Sequence, residues 1–319
     1  MSTKLLDLVN ITKSYDGVTI LDDLNLYIRE NEFLTLLGPS GCGKTTTLRI
    51  LGGFETPDAG KVLFNGQDIT QLPPNKRQLN TVFQKYALFT HMTIAENIAF
   101  GLKIKGKSKA YINDKIKYAL KLVNLEGYEN RSPALLSGGQ QQRIAIARAI
   151  VNEPKVLLLD EPLGALDLKL RQDMQYELIR LKNELGITFV YVTHDQEEAM
   201  AISDRIAVMK EGVIQHVGTP RDIYQRPKNV FVATFIGRTN IVNAHVKDGI
   251  ITFADGYHEH IDALDKAAEQ DVRCSIRPEE FIICKDGTDG IHGTVQECTY
   301  LGLNTHYTID LSLIHISEP

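Results

Sequence analysis

The sequence lacks the features that identify membrane-embedded and secreted proteins. No apolar run approaches the roughly 18 consecutive residues that a membrane-spanning helix requires. The N-terminal segment, MSTKLLDLVN, contains no apolar stretch like the core of a signal peptide. We therefore expect a soluble protein of the cytoplasm.

Cysteine is scarce, and a strong net charge is absent. The four cysteines, Cys42, Cys274, Cys284 and Cys298, include no C-x-x-C pair, so neither a zinc site nor a disulfide framework is indicated. The formal net charge is −5, which argues against a general nucleic-acid binder, because such proteins usually carry a basic domain. With 319 residues and 43% hydrophobic composition, the chain is long enough for one large domain and a smaller one.

The strongest positive signal is the run GPSGCGKT at 38–45, here called the phosphate loop, which lies between an apolar stretch and a helical one. Its glycines let successive N–H groups point into one concavity, and the helix that follows adds its dipole, so the loop can hold a polyphosphate. Lys44 is placed to reach the β- and γ-phosphates, and the Thr45 hydroxyl to ligate Mg²⁺. The flanking strand and helix patterns favour this function over an ordinary glycine turn. The residues expected to contact the nucleotide here are Gly38, Pro39, Ser40, Gly41, Cys42, Gly43, Lys44, Thr45 and Thr46.

The segments around the phosphate loop predict an α/β fold. Short β-like runs with turn signals precede the loop and indicate an antiparallel β region. The segment 80–84 reads as a strand that ends in Gln84. From about 93 to 152 the apolar residues recur every three to four positions, which indicates a helical insertion.

The second half of the chain carries further polar groups at predicted element ends. Leu-Ser-Gly-Gly-Gln at 136–140 opens a helix and offers a second anion-binding surface. The apolar run 156–159 ends in Asp160 and Glu161, at the edge of a predicted parallel sheet. The buried strand at 188–193 leads directly into His194. From residue 237 the pattern changes to short strands, which predict a small β domain.

Several of these residues, taken singly, have an ordinary structural interpretation. Tyr15, with Val18 close behind it, could stack on adenine or could simply pack. Asp160 and Glu161 could form a solvated strand end, and His194 could be a surface imidazole. Their occurrence together and in this order is what favours a functional interpretation.

As an ordered set, these motifs resemble the nucleotide-binding subunit of ABC transporters over about residues 4–240. The resemblance implies an ATPase with a P-loop NTPase core that uses ATP and Mg²⁺. It implies that Tyr15 stacks on adenine beside Val18, and that Asp160 supports Mg²⁺. Glu161 would be the general base that polarises the attacking water, and His194 would sense the γ-phosphate.

Other residues gain a role from the same resemblance. Gln84 would contact Mg²⁺ and move with the helical insertion, and Asp167 would link two active sites. The surface formed by Ser137, Gly138, Gly139 and Gln140 would complete the ATP site of a partner subunit. The implied assembly is a two-fold homodimer of ATPase subunits with two integral-membrane permease subunits and a solute-binding protein, peripheral on the cytoplasmic face of a bacterial cell membrane.

The segments 80–84, 86–89 and 192–199 resemble the importer ATPases that carry a C-terminal β domain. Among these, 168–175 and 185–189 are most similar to the spermidine/putrescine importer ATPases. The same role in a sugar, ferric iron or sulfate importer stays open at this point. A soluble ABC ATPase acting on nucleic acid is a weaker alternative, since neither a second cassette nor a long coiled coil is present.

The expected organisation has two domains. Residues 1–236 form the ATPase domain, with an antiparallel β subdomain and a helical subdomain at about 90–152. Residues 237–310 resemble the start of an oligomer-stabilising β domain of the TOBE or OB type, expected to be truncated and barrel-like. The segment 311–319 resembles translated adapter sequence, and we expect it to be a non-native tail.

Overall fold

The computed structural model describes residues 4–164, 166–254, 256–282, 293–302 and 305–311. The chain divides into two compact units, one that ends at Val232 and one that begins at Ala233. Among the residues described, no helix has both the length and the apolar character needed to cross a membrane.

Within the described residues the first unit contains ten strands and seven α-helices, and an eighth α-helix runs across the boundary between the units. The strands are β1 (Lys4–Tyr15), β2 (Val18–Arg29), β3 (Phe33–Leu37), β4 (Ala59–Phe64), β5 (Gln67–Asp68), β6 (Leu79–Val82), β7 (Val156–Asp160), β8 (Thr188–Thr193), β9 (Arg205–Lys210) and β10 (Val213–Gly218). The helices are α1 (Lys44–Gly52), α2 (Ile94–Ile104), α3 (Lys109–Leu122), α4 (Gly138–Ile150), α5 (Leu168–Leu185), α6 (Gln196–Ile202), α7 (Pro220–Gln225) and α8 (Val230–Phe235).

Two sheets organise this unit. An antiparallel sheet has the order β2-β1-β4-β5, and a six-stranded sheet has the order β10-β9-β3-β8-β7-β6. In the larger sheet the strands from β9 to β6 run parallel, and β10 is added antiparallel at one edge. Because β8 lies between β3 and β7, the carboxyl ends of these three strands meet at one edge of the sheet.

The parallel strands are apolar because helices cover both faces of the sheet. All five residues of β3 are buried. On one face, Leu34 and Leu36 share a core with Leu48 and Leu51 of α1. On the other face, Phe33 stacks on Phe189 with ring centroids 5.2 Å apart, in a core that also includes side chains of α5.

The helical insertion consists of α2, α3 and α4, which have a core of their own that includes Ile98, Leu120 and Ile144. Thr93, Ser108 and Ser137 cap the N-termini of the three helices through their side-chain oxygens. The predicted periodicity of 93–152 is therefore that of three helices packed on one another.

The strand predicted to end in Gln84 is shorter than expected. β6 ends at Val82, and the chain turns soon afterwards, since Tyr86 and Ala87 have positive φ angles of 58° and 48°. Gln84 therefore lies in the loop after the strand. Its side-chain direction is not set by the alternation of side chains between the two faces of a sheet.

The second unit is mainly antiparallel β structure. Its strands are β11 (Asn240–Lys247), β12 (Ile250–Phe253), β13 (His258–His260), β14 (Gln270–Ile276), β15 (Gly293–Tyr300) and β16 (Thr305–Leu311). The first four form a sheet in the order β13-β12-β11-β14, and the last two form a hairpin. The buried core found here is small, with Ala244, Val246 and Ile251 at its centre.

The predicted fold class is confirmed in its main parts: an α/β core, an antiparallel β subdomain, a helical insertion and a small C-terminal β region. The expected tail lies outside the described residues from residue 312 onward.

Candidate functional site

The phosphate loop follows β3 and leads into α1 with a backbone that only glycine can follow at some positions. Gly41 and Gly43 have φ angles of 78° and 96°, in the left-handed region. A Cβ atom on Gly43 would lie 2.5 Å from the Leu21 side chain, and one on Gly38 would lie 2.4 Å from the Met209 carbonyl oxygen. Gly41 is therefore required by the turn, Gly38 by close packing, and Gly43 by both.

The side chain of Lys44 is buried against the phosphate loop. Lys44 is 5% exposed, and its Nζ donates to the carbonyl oxygens of Gly38 at 2.7 Å and Pro39 at 2.9 Å. Burial raises the pKa of the neighbouring Cys42 thiol, so this side chain stays protonated and packs as a small buried group. The ammonium and the N-terminus of α1 are thus brought to one loop, which is the combination that binds phosphate.

The remaining loop residues differ in exposure. Ser40 and Gly41 are exposed, whereas Pro39, Thr45 and Thr46 are half-buried. The loop therefore presents its tip to solvent and keeps its base packed.

Thr45 and Asp160 come together from different elements. The Thr45 hydroxyl donates to Asp160 Oδ1 at 3.1 Å, and Asp160 is the last residue of β7. Burial, with a smaller contribution from the negative charge of Glu161, raises the pKa of the Asp160 carboxyl, and the Thr45 hydrogen bond opposes this rise. An oxygen pair in which the carboxylate is poorly solvated fits a hard divalent cation such as Mg²⁺.

Glu161 lies between two other predicted catalytic side chains. Gln84 Nε2 donates to Glu161 Oε2 at 3.2 Å, and His194 Nδ1 lies 3.4 Å from Glu161 Oε1. The three residues follow β6, β7 and β8, so the sheet topology brings them to one place. Glu161 itself has a φ angle of 43°, and its backbone N–H donates to the Val192 carbonyl of the neighbouring strand.

Tyr15 and Val18 face each other across the turn between β1 and β2. Both are exposed, Tyr15 to 39% and Val18 to 61%, and the Lys13 ammonium lies 5.2 Å from the centroid of the Tyr15 ring. The ring is accessible for stacking, and the role of Tyr15 in binding adenine stays a prediction.

The other predicted ligands lie at helix N-termini. Ser137 and Gln140 form a reciprocal capping box on α4, with N–H to side-chain distances of 3.4 and 3.1 Å. Ser137 and Gly138 are exposed and Gly139 is buried, and a Cβ atom on Gly138 would only touch Leu166, so the exposed part of this helix end is its first two residues. Asp167 caps α5 by accepting from the Leu170 N–H at 2.9 Å. These contacts are local to each helix.

Sequence reasoning missed a group of side chains behind His194. Glu198 of α6 is 3% exposed and accepts hydrogen bonds from Tyr191 and Thr193, both at 2.7 Å. Burial raises the pKa of the Glu198 carboxyl, and the two hydroxyl donors oppose this rise. The only available signal was the spacing of Asp195 and Glu198, which indicates a helix N-terminus and not a buried network.

Arg148 was missed as well. It donates to the carbonyl oxygens of Ala87 at 2.8 Å and Tyr86 at 2.9 Å, and so holds the loop after Gln84 to the C-terminal turn of α4. Burial lowers the pKa of its guanidinium. The helix that begins at Ser137 is therefore joined to the loop that carries Gln84.

Comparison with known proteins shows which families this chain is similar to. The family model described as ABC transporter matches residues 21–164, and the model described as TOBE domain matches residues 274–316. The spermidine/putrescine import ATP-binding protein PotA of Acetivibrio thermocellus is 59% identical, over 94% of this chain and 85% of the relative. The protein of the same name from Clostridium novyi is 58% identical, over 96% of this chain and 88% of the relative.

Solved structures agree with these matches. The structure of cbiO1 from Clostridium perfringens, part of the ABC transporter complex cbiONQ, has a TM-score of 0.66 at 30% identity and covers 70% of this chain and 91% of its own. A dimeric ATP-binding cassette in a post-hydrolysis state, bound to ADP and Pi, has a TM-score of 0.61 at 34% identity and covers 68% of this chain and 99% of its own.

Proposed function

The chain belongs to the ABC transporter family, as the ATP-hydrolysing subunit of a spermidine/putrescine importer, and from this premise we propose how its residues perform the reaction. The substrate alternatives that the sequence alone leaves open, namely sugars, ferric iron and sulfate, are disfavoured by the names of relatives at 50–59% identity. An action on nucleic acid is disfavoured by the same matches.

In the proposed binding mode, the phosphate loop holds the nucleotide. Backbone N–H groups of the loop and of the first turn of α1 bind the phosphates, and Lys44 leaves its carbonyl partners to contact the β- and γ-phosphates. Tyr15 stacks on the adenine, supported by its exposed ring at the β1–β2 turn.

We assign the Mg²⁺ site to Thr45 and Asp160, with Gln84 as a third oxygen donor. The 3.1 Å contact between Thr45 and Asp160 and the poorly solvated carboxylate support this assignment. When bound, the ion neutralises charge on the phosphates.

The observation that carries the proposed mechanism is the position of Glu161 between Gln84 and His194. In this mechanism the Glu161 carboxylate takes a proton from a water molecule that attacks the γ-phosphorus, and ADP leaves in line. His194 and Gln84 hold the carboxylate and orient the water, which is the positioning that phosphoryl transfer requires.

The family also implies dimerisation and membrane permease partners. We propose that the N-terminus of α4, with Ser137, Gly138, Gly139 and Gln140, completes the ATP site of the partner subunit, and that Asp167 links the two sites. The exposed start of α4 at Ser137 and Gly138 supports this arrangement, since a phosphate could approach it.

At the level of the whole assembly, we propose a solute-binding protein as a further component and a location on the cytoplasmic face of the membrane. We further propose that residues 1–236 form the ATPase domain and that 237–310 form an oligomer-stabilising β domain. The division of the chain between Val232 and Ala233 supports this boundary.

Reconstitution tests the proposed function. The full chain, its permease subunits and a solute-binding protein in proteoliposomes should take up radiolabelled spermidine only when ATP is present with the ATPase subunit. Excess putrescine should compete, whereas maltose, sulfate and ferric iron should not. Uptake that is driven equally well by the Glu161→Gln variant would contradict the mechanism, and uptake of a competitor in place of polyamine would contradict the substrate.

A further inference from the structure

The strand end that carries His194 is anchored by a buried carboxylate. Thr193 is the last residue of β8, and its hydroxyl donates to Glu198 Oε2 at 2.7 Å. Tyr191, two residues earlier, donates to the same oxygen at 2.7 Å. Glu198 therefore fixes the chain immediately before His194.

The residue on the other side of His194 is fixed by the Glu198 backbone N–H and by the Thr193 hydroxyl. Asp195 Oδ1 accepts from the Glu198 N–H at 3.1 Å, and the Asp195 N–H donates to Thr193 Oγ1 at 3.0 Å. The His194 side chain, in contrast, is 58% exposed. The imidazole is thus an exposed group on a turn that hydrogen bonds hold on both sides.

Arg171 joins this turn to the start of α5. Its Nη1 donates to Asp195 Oδ2 at 2.8 Å, and its Nε lies 3.5 Å from Glu198 Oε1. Its Nη2 donates to the Leu166 carbonyl at 3.4 Å, and its backbone N–H donates to the Asp167 carbonyl at 2.9 Å. The guanidinium holds five N–H donors in one rigid plane, so its contacts to the turn and to the Leu166 carbonyl are fixed relative to each other. The Asp167 contact, in contrast, is a backbone bond of the helix.

Resting on the proposed function, we propose that Arg171 and Glu198 are positioning residues that couple His194 to Asp167. The pair, here called the bridge, ties the turn that would sense the γ-phosphate to the helix start that would link the two active sites. One contact of the bridge, from Arg171 Nε to Glu198 Oε1, is longer than an ordinary hydrogen bond. Within the described residues, Arg171 Nε is buried without a hydrogen-bond partner. A small movement of the His194 turn or of the start of α5 would shorten or lengthen this contact. Through it, the position of His194 and that of Asp167 depend on each other.

The bridge is tested with Arg171→Gln, Glu198→Gln and the double variant of the full chain. Each single variant should lower kcat for ATP hydrolysis by about 10- to 100-fold, since a misplacement of about 1 Å can cost as much. The Kd for ATP should stay within about threefold, because neither residue lies in the phosphate loop. Cooperativity in the dependence of rate on ATP concentration should be lost, which a purely structural role would not cause.

The double variant should be no slower than the slower single variant, because residues that act through one contact are not additive. Glu177→Gln is the matched control: Glu177 is also a buried glutamate paired with an arginine, Arg180, but on the central turns of α5. It should leave kcat and cooperativity unchanged. If Glu198→Gln does not fold, Arg171→Lys replaces it, with the same expected loss of kcat.

Single variants with kcat within about twofold of wild type, or losses that multiply in the double variant, would overturn the proposal. His194→Ala and Glu161→Gln are assayed in parallel to separate the two proposals. If they lower kcat by about 100-fold or more while the bridge variants stay within about twofold of wild type, only the bridge is wrong. If they retain turnover, the proposed catalytic roles are wrong.

Discussion

Replacing Glu161 by glutamine isolates the contribution of its carboxylate. The amide keeps the size of the side chain, can still contact Gln84 and His194, and removes the proton acceptor. A positioned general base contributes about 10²- to 10⁴-fold, so kcat should fall by this factor, which is about 3 to 5 kcal/mol of activation free energy. Binding of ATP should persist, because the contacts of Lys44 and Thr45 are unchanged.

The same substitution has a secondary electrostatic effect. The charge of Glu161 contributes to the raised pKa of Asp160. Removing this charge should lower the pKa of Asp160, so the substitution does not favour protonation of this Mg²⁺ ligand. Titration of Mg²⁺ in the ATP-binding assay separates loss of the base from loss of the metal.

The assay is steady-state phosphate release by the full chain, combined with equilibrium binding of ATP. Glu153→Gln is a matched control, since Glu153 also has a positive φ angle, 53°, and also pairs with another side chain, Lys115. This control should keep wild-type turnover. A Glu161→Gln rate near that of wild type would refute the general-base assignment.

The remaining predictions concern assembly, stability and domain independence. Ser137→Arg should bind ATP as a monomer but fail to form the ATP-bound dimer, because a bulky side chain would block the partner's site; a stable dimer on sizing in the Glu161→Gln background would contradict this. Arg77→Met should lower the free energy of unfolding by about 2 to 4 kcal/mol in urea titrations, relative to the exposed Lys76→Met, since Arg77 is buried and donates to four backbone carbonyls. Limited proteolysis should cut first after about residue 237 and leave an ATP-protected fragment, because the described core of the second unit is small; equal resistance along the whole chain would contradict this.

Much of the site could be predicted because it lies where strands end. Apolar runs buried on both faces identify β3, β7 and β8, and the polar residues that follow them must meet at one edge of a parallel sheet. This reasoning predicts that Asp160 and His194 lie at that edge, and the phosphate-loop motif predicts the position of Lys44. Gln84 was expected as the last residue of a strand, but β6 ends two residues earlier, at Val82.

The buried polar network could not be predicted because its members are far apart in sequence. No sequence pattern indicates that Arg171 and Asp195 are in contact. Asp195 and Glu198 together follow the pattern of a helix cap. Only tertiary packing shows that the Glu198 carboxylate turns inward to Tyr191 and Thr193. Arg148 could not be predicted either, because its partners are backbone carbonyl oxygens, which every residue has and no sequence pattern marks.

The backbone conformation of Glu161 has a consequence for laboratory evolution. A φ angle of 43° is unfavourable for glutamate and easy for glycine or asparagine. Substitution by glycine at a left-handed position would relieve strain of the order of 1 kcal/mol and remove the carboxylate at the same time. A screen that rewards heat resistance alone would therefore enrich inactive enzymes at this position. Thermostable variants of this importer should be selected by transport, with position 161 held fixed.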